Sequence, residues 1–171
     1  MKPWLWVKLD TVARQITPFG LTMAFTLVSA LPLRVAGLGA AGPVWTIMSL
    51  YYWALYRPDL MPAAAVFVVG VMVDALSGTP LGVNALVFLM VHRLVVTQRR
   101  FFYGKPFAIV WLGFALVTAG AFAAGWLLTS LWYGTLLDLR PLAFRYTVTL
   151  GLFPLVFRAL FEWQRLFLKE V

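Results

Sequence analysis

The chain has 171 residues, 63% of them apolar and 12% charged, with a formal net charge of +8 and a pI of about 10.3. A soluble domain carries ~25% charged residues, so there is too little polar surface here to coat a water-soluble globule. At ~20 residues per crossing helix, the length leaves no room for a large catalytic unit outside a membrane. The chain has no cysteine, which excludes disulfides, thiol nucleophiles and Cys-ligated metals, and its single histidine, His92, argues against a zinc or haem centre. No cofactor and no metal are expected.

Uncharged runs mark the predicted elements. Residues 1–16 form a basic cytoplasmic leader in which Leu5, Leu9, Val12 and Ile16 recur at helical spacing. That pattern suits an interfacial amphipathic helix on an anionic leaflet, with a frayed basic leader as the alternative. Nineteen uncharged residues separate Arg14 from Arg34, and 22 separate Arg34 from Arg57, which places spans at 17–33 and 43–56. The first run and its Val28-Ser29-Ala30 resemble a cleavage signal, but five further spans favour a retained helix. Fourteen residues between Asp59 and Asp74 and 18 between Asp74 and Arg93 predict helices at 62–76 and 82–96. The turn Ser77-Gly78-Thr79-Pro80-Leu81-Gly82 splits them. No charge interrupts Phe107 to Leu137, so the fifth span, at 107–132, is long. The sixth, at 142–161, carries Arg145 and Arg158 near its ends and a kink at Pro154. Residues 162–171 form a cytoplasmic tail. The predicted fold is a single all-α membrane domain, a bundle of six transmembrane helices over 17–161.

Charge placement orients the bundle. With the N-terminus in the cytoplasm, eleven Lys and Arg fall on inner segments, and only Arg34, Arg140 and Arg145 fall outside. The positive-inside rule therefore puts both termini in the cytoplasm. This distribution also accounts for the high pI, and no basic segment resembles a nucleic-acid module. Tyr51, Tyr52, Trp53, Tyr56, Trp111 and Trp163 fall near inner ends, with Trp45, Trp132, Tyr133 and Tyr146 near outer ones, as aromatic belts would.

The densest polar cluster runs from Asp74 through Ser77, Gly78, Thr79, Pro80, Leu81 and Gly82 to Asn84. An ionisable group inside a membrane helix needs a partner or a purpose. Gly78 suits a left-handed helix end, Thr79 a cap on the next helix, and Pro80 its first position. Asp74 can then accept hydrogen bonds from the turn N–H groups or the Asn84 amide, as a structural staple of a helical hairpin. An aspartyl peptidase would need a facing carboxylate. Asp138 lies toward the same side, but with Arg140 and Arg145 close by it suits a capped loop. Ser77 and His92 lie near opposite faces. No enzyme activity is expected.

Two further groups are candidate partner or lipid contacts. The fifth helix carries Ala115, Ala119 and Ala123 at four-residue spacing, a face that lets backbones approach within the bundle or against a partner. The segment from Thr97 to Lys105, with Arg99 and Arg100, reads as a cytoplasmic loop that anchors to anionic head groups or docks a cytoplasmic protein. Arg158, Glu162, Arg165 and Lys169 form a charged stripe on a protruding helix end.

Tyr51-Tyr52-Trp53, then Gly70 three residues before Val73-Asp74, then the pattern Asp-x-x-Ser-Gly-x-x-Leu-Gly over Asp74 to Gly82 resemble the rod shape-determining MreD family. Leu139-Arg140-Pro141 and the last helix with Pro154 extend the resemblance. It implies a non-enzymatic component of the bacterial cell-elongation complex in the inner membrane. Such a protein associates with MreC, a single-span protein with a periplasmic coiled coil, and through it with the actin-like MreB and the wall synthases. It also implies a fold similar to the substrate-binding subunits of energy-coupling-factor vitamin transporters. A solute-binding transporter subunit is therefore the rival function, although few intramembrane polar residues are available to hold a polar ligand.

Overall fold

A computed structural model describes residues 4–30, 34–35, 39–40 and 44–167. Six α-helices follow in order: α1 Trp4–Ala30, α2 Trp45–Tyr56, α3 Ala63–Ser77, α4 Val83–Phe102, α5 Phe107–Tyr133 and α6 Arg140–Phe167. A two-residue antiparallel ladder, Arg34–Val35 against Gly39–Ala40, lies between α1 and α2, and a 3-10 turn, Pro58–Leu60, lies between α2 and α3. Proline and glycine set the boundaries. Pro62 and Pro106 occupy the N-cap positions of α3 and α5, and Gly78 and Gly134 end the same two helices in the left-handed conformation. Only glycine adopts that backbone without a steric cost.

The centre of the bundle is α2. It has no charged residue, and a helix with so little polar surface lies in a protein core or spans a membrane. Every residue from Thr46 to Leu55 is buried, with α1, α4 and α6 packed around it. At 12 residues it is ~18 Å long, short of the ~30 Å of bilayer hydrocarbon. Its hydroxyls face those of α1. Ser49 Oγ lies 2.8 Å from Thr22 Oγ1, Thr46 Oγ1 donates to Thr26 Oγ1 at 3.1 Å, and Ser29 Oγ accepts the Trp45 N–H at 3.1 Å. These bonds join two helices whose apolar surfaces alone would not distinguish one register from another.

Burial corrects the expected inner aromatic belt. Tyr51, Tyr52 and Trp53 are core residues, each at most 1% exposed. Tyr51 donates its hydroxyl to the Val110 carbonyl at 3.1 Å, and Tyr52 donates to Gln164 Oε1 at 2.7 Å. The rings join Phe114, Phe153 and Phe157 in one aromatic cluster, where Phe114 and Phe153 stack at 3.8 Å. Of the other expected belt residues, Trp111, Trp132, Tyr133 and Trp163 are exposed.

Three helices are longer than the sequence predicts. The leader and first span are one helix, which runs through Pro18, and Thr22 Oγ1 donates to the Pro18 carbonyl at 2.8 Å. The side chains of the proposed amphipathic stripe up to Val12 lie outside the described residues. α4 extends to Phe102, since Gln98-Arg99-Arg100 favours helix and the stop signals come later, at Gly104 and Pro106. Thr97 to Phe102 are therefore helical rather than loop, and His92-Arg93 sits in mid-helix. α6 runs to Phe167 with Pro154 inside it. By length and composition, Phe107–Tyr133 and Arg140–Leu166 are apolar enough to cross a membrane, with mean hydropathies of 2.1 and 1.3.

Candidate functional site

Asp74 stands one turn before the end of α3, fully buried. Its carboxylate receives five donors. Oδ1 accepts the Thr79 hydroxyl at 2.8 Å, the Asn84 backbone N–H at 3.0 Å and the Asn84 side-chain amide at 2.9 Å. Oδ2 accepts the backbone N–H of Gly82 at 2.9 Å and of Ala85 at 3.4 Å. The Asn84 amide also donates to Thr79 Oγ1 at 3.1 Å, which closes the network.

This arrangement answers a local need. The first turn of any α-helix leaves its N–H groups without intrahelical partners. Gly82, at the N-cap of α4, has no side chain to offer them. Asp74 supplies the cap from the preceding helix, taking the N–H groups of Gly82, Asn84 and Ala85, while Val83 N–H finds the Pro80 carbonyl at 3.3 Å. The positive end of the α4 dipole and these charge-assisted bonds stabilise a buried carboxylate without a cation. Thr79 thus serves Asp74 rather than capping α4, and Pro80 lies in the turn two residues before the N-cap Gly82. Gly78 and Gly82 both take positive φ, at 67° and 101°. Ser77 ends α3 with its side chain exposed, and Leu81 projects from the tip, 75% exposed.

Behind the turn, α3 and α4 touch backbone to backbone. A Cβ on Gly70 would run into the Cα and N atoms of Ala85. Gly113 of α5 is confined in the same way, by the Phe102 ring and the Tyr51 hydroxyl. The sequence pattern singles out Gly70 without showing what lies against it.

The other predicted contacts are dispersed. Arg99 and Arg100 occupy the last turn of α4, where cations complement the helix dipole. With Leu55, Tyr56 and Tyr103 they line a cleft of about 530 Å³. Lys105 sits apart, its ammonium 5.9 Å from the centre of the Phe101 ring. On α5, Ala119 and Ala123 are exposed rather than packed inside the bundle. Ala115 is half-buried, and its carbonyl accepts the Tyr146 hydroxyl at 2.9 Å. Asp138 is exposed and accepts the Arg140 N–H at 3.0 Å, at the start of α6. It is a loop acceptor in its own turn.

A second concavity, missed by sequence reading, opens between α4 and α5. It measures about 670 Å³ and is lined by Leu86, Met90, Leu94, Leu116, Gly120 and Ala124 among other apolar groups, with Arg93 and Thr97 as its polar members. The four-residue spacing of Leu86, Met90 and Leu94 marks one side of it in the sequence. Its depth depends on Gly120 and Ala124 of a different helix. This lining lacks the converging polar groups of a vitamin site.

These features define an α-helical bundle whose buried polar groups join helix to helix, with two helices long and apolar enough to cross a membrane. A family model described as rod shape-determining protein MreD matches residues 13–168, and the chain belongs to that family. Membership makes it a membrane protein of the cell-shape machinery with a role in determining rod shape, in a family of shape-determining proteins rather than enzymes. No solved structure matches the chain.

Proposed function

We propose that the chain is a non-enzymatic, multi-pass scaffold of the cell-elongation machinery, with both termini in the cytoplasm. It binds MreC directly within the inner membrane, and through MreC it is linked to MreB and to the synthases that extend peptidoglycan. The observation that carries this reading is the family match over 13–168. The side chains agree with it in kind. Asp74 is fully occupied by its five donors, so it has no free lone pair with which to start chemistry. Ala119 and Ala123 offer a small-residue face on α5 that the rest of the bundle leaves open, suited to a single crossing helix.

Depletion in a rod-shaped host tests the reading. Cells should round and widen, and re-expression should restore rods. Cells that stay rod-shaped but lose uptake of a vitamin would contradict it.

A further inference from the structure

The geometry points to a binding site for one anionic phospholipid in the groove between α4 and α5, with the lipid phosphate on Arg93 and an acyl chain along the apolar wall. Arg93 lies nine residues before the end of α4 at Phe102, so its Cα is ~13 Å up the helix. Arg93 stands about two turns before Arg99 and Arg100, and where α4 crosses a bilayer a cation at that level either reaches toward the interface or takes a counter-charge. Among the described residues, no carboxylate forms an ion pair with it. A counter-charge for it would come from outside these residues, and the groove indicates its form. Leu86, Met90 and Leu94 of α4 face Leu116, Gly120 and Ala124 of α5, and the lining has no polar side chain beyond Arg93 and Thr97. An apolar channel with one guanidinium matches a charged head joined to an alkyl chain, and the volume of about 670 Å³ falls in the ~300–1,000 Å³ range of ligand cavities. A guanidinium also binds phosphate bidentately, which a lysine cannot do. Gly120 keeps the channel open: a Cβ there meets nothing within 4 Å, so a larger residue would enter the groove without disturbing the helix.

This inference rests on α4 and α5 being membrane helices, and it is independent of whether the protein binds MreC. The test uses the full chain in detergent, titrated with phosphatidylglycerol or phosphatidylethanolamine, with retained lipid counted by native mass spectrometry. Orientation plays no part in that measurement, so a wrong topology would leave its result unchanged. One phosphatidylglycerol per chain should be retained in preference to phosphatidylethanolamine. Arg93→Gln should weaken retention by about tenfold. Arg93→Lys should lose less, and Gly120→Leu should block the site with the melting temperature unchanged. Arg140→Gln, at the first residue of α6 and outside the groove, should have no effect. Equal retention of the two lipids, an unaltered Arg93→Gln, or a loss in Arg140→Gln as large as in Arg93→Gln would overturn the proposal. So would a partner helix that crosslinks at Gly120 in place of lipid.

Discussion

Asp74 Oδ1 accepts both the backbone N–H of Asn84, at 3.0 Å, and its side-chain amide, at 2.9 Å. One residue of α4 is thereby held twice by one oxygen of α3, and α4 cannot slide or rotate without breaking both bonds. The relationship makes the hairpin a unit whose stability depends on a single carboxylate.

Asp74→Ala should therefore be the most damaging change in the hairpin. It leaves the N–H groups of Gly82, Asn84 and Ala85 without their acceptor, and a buried donor so orphaned costs roughly 1–3 kcal/mol, less at the part-buried Gly82 and Asn84. A loss of about 3 kcal/mol or more is expected, read as a lower melting temperature in detergent and a lower protein level. Asn84→Ala should cost only about 1 kcal/mol, because its backbone bond survives. Equal melting of wild type and Asp74→Ala would remove the staple from this account.

Gly70→Val should force α3 away from α4, because the added Cβ meets Ala85 backbone atoms that cannot move independently. Overpacking of this kind costs about 1–3 kcal/mol. Gly20→Ala is the control: its Cβ meets nothing within 4 Å, and alanine favours helix, so stability should hold or rise slightly. Thermal melting of the two variants side by side separates close packing from a general intolerance of glycine replacement.

The absence of native cysteine gives a clean background for topology. Leu81 and Tyr103 are 75% and 72% exposed at opposite ends of α4, so neither substitution disturbs the core. Leu81→Cys should react with an impermeant maleimide in intact spheroplasts, and Tyr103→Cys only after permeabilisation. The reverse pattern would invert the bundle.

How far the sequence could be read follows from distance along the chain. The hairpin was legible because Asp74, Thr79 and Asn84 lie within ten residues and turn chemistry is local, although Thr79 and Pro80 take other roles than capping logic assigns them. The burial of α2 was not legible, since a run such as Leu50-Tyr51-Tyr52-Trp53 has the same composition whether it faces lipid or core. What decides is the packing of α1, α4 and α6 around it. The end of α4 was misplaced because Arg99 and Arg100 read as loop charges, whereas a helix can carry cations in its last turn at no cost. The groove at Arg93 joins two helices and had no signature in either one alone.

Affinity purification from native membranes tests the central claim, that the protein works by holding partners in place. The wild-type chain should recover MreC, and an Ala119→Trp, Ala123→Trp double variant should fold and reach normal levels but recover far less. Recovery of a transporter ATPase pair with a bound vitamin, with no MreC in the preparation, would contradict it.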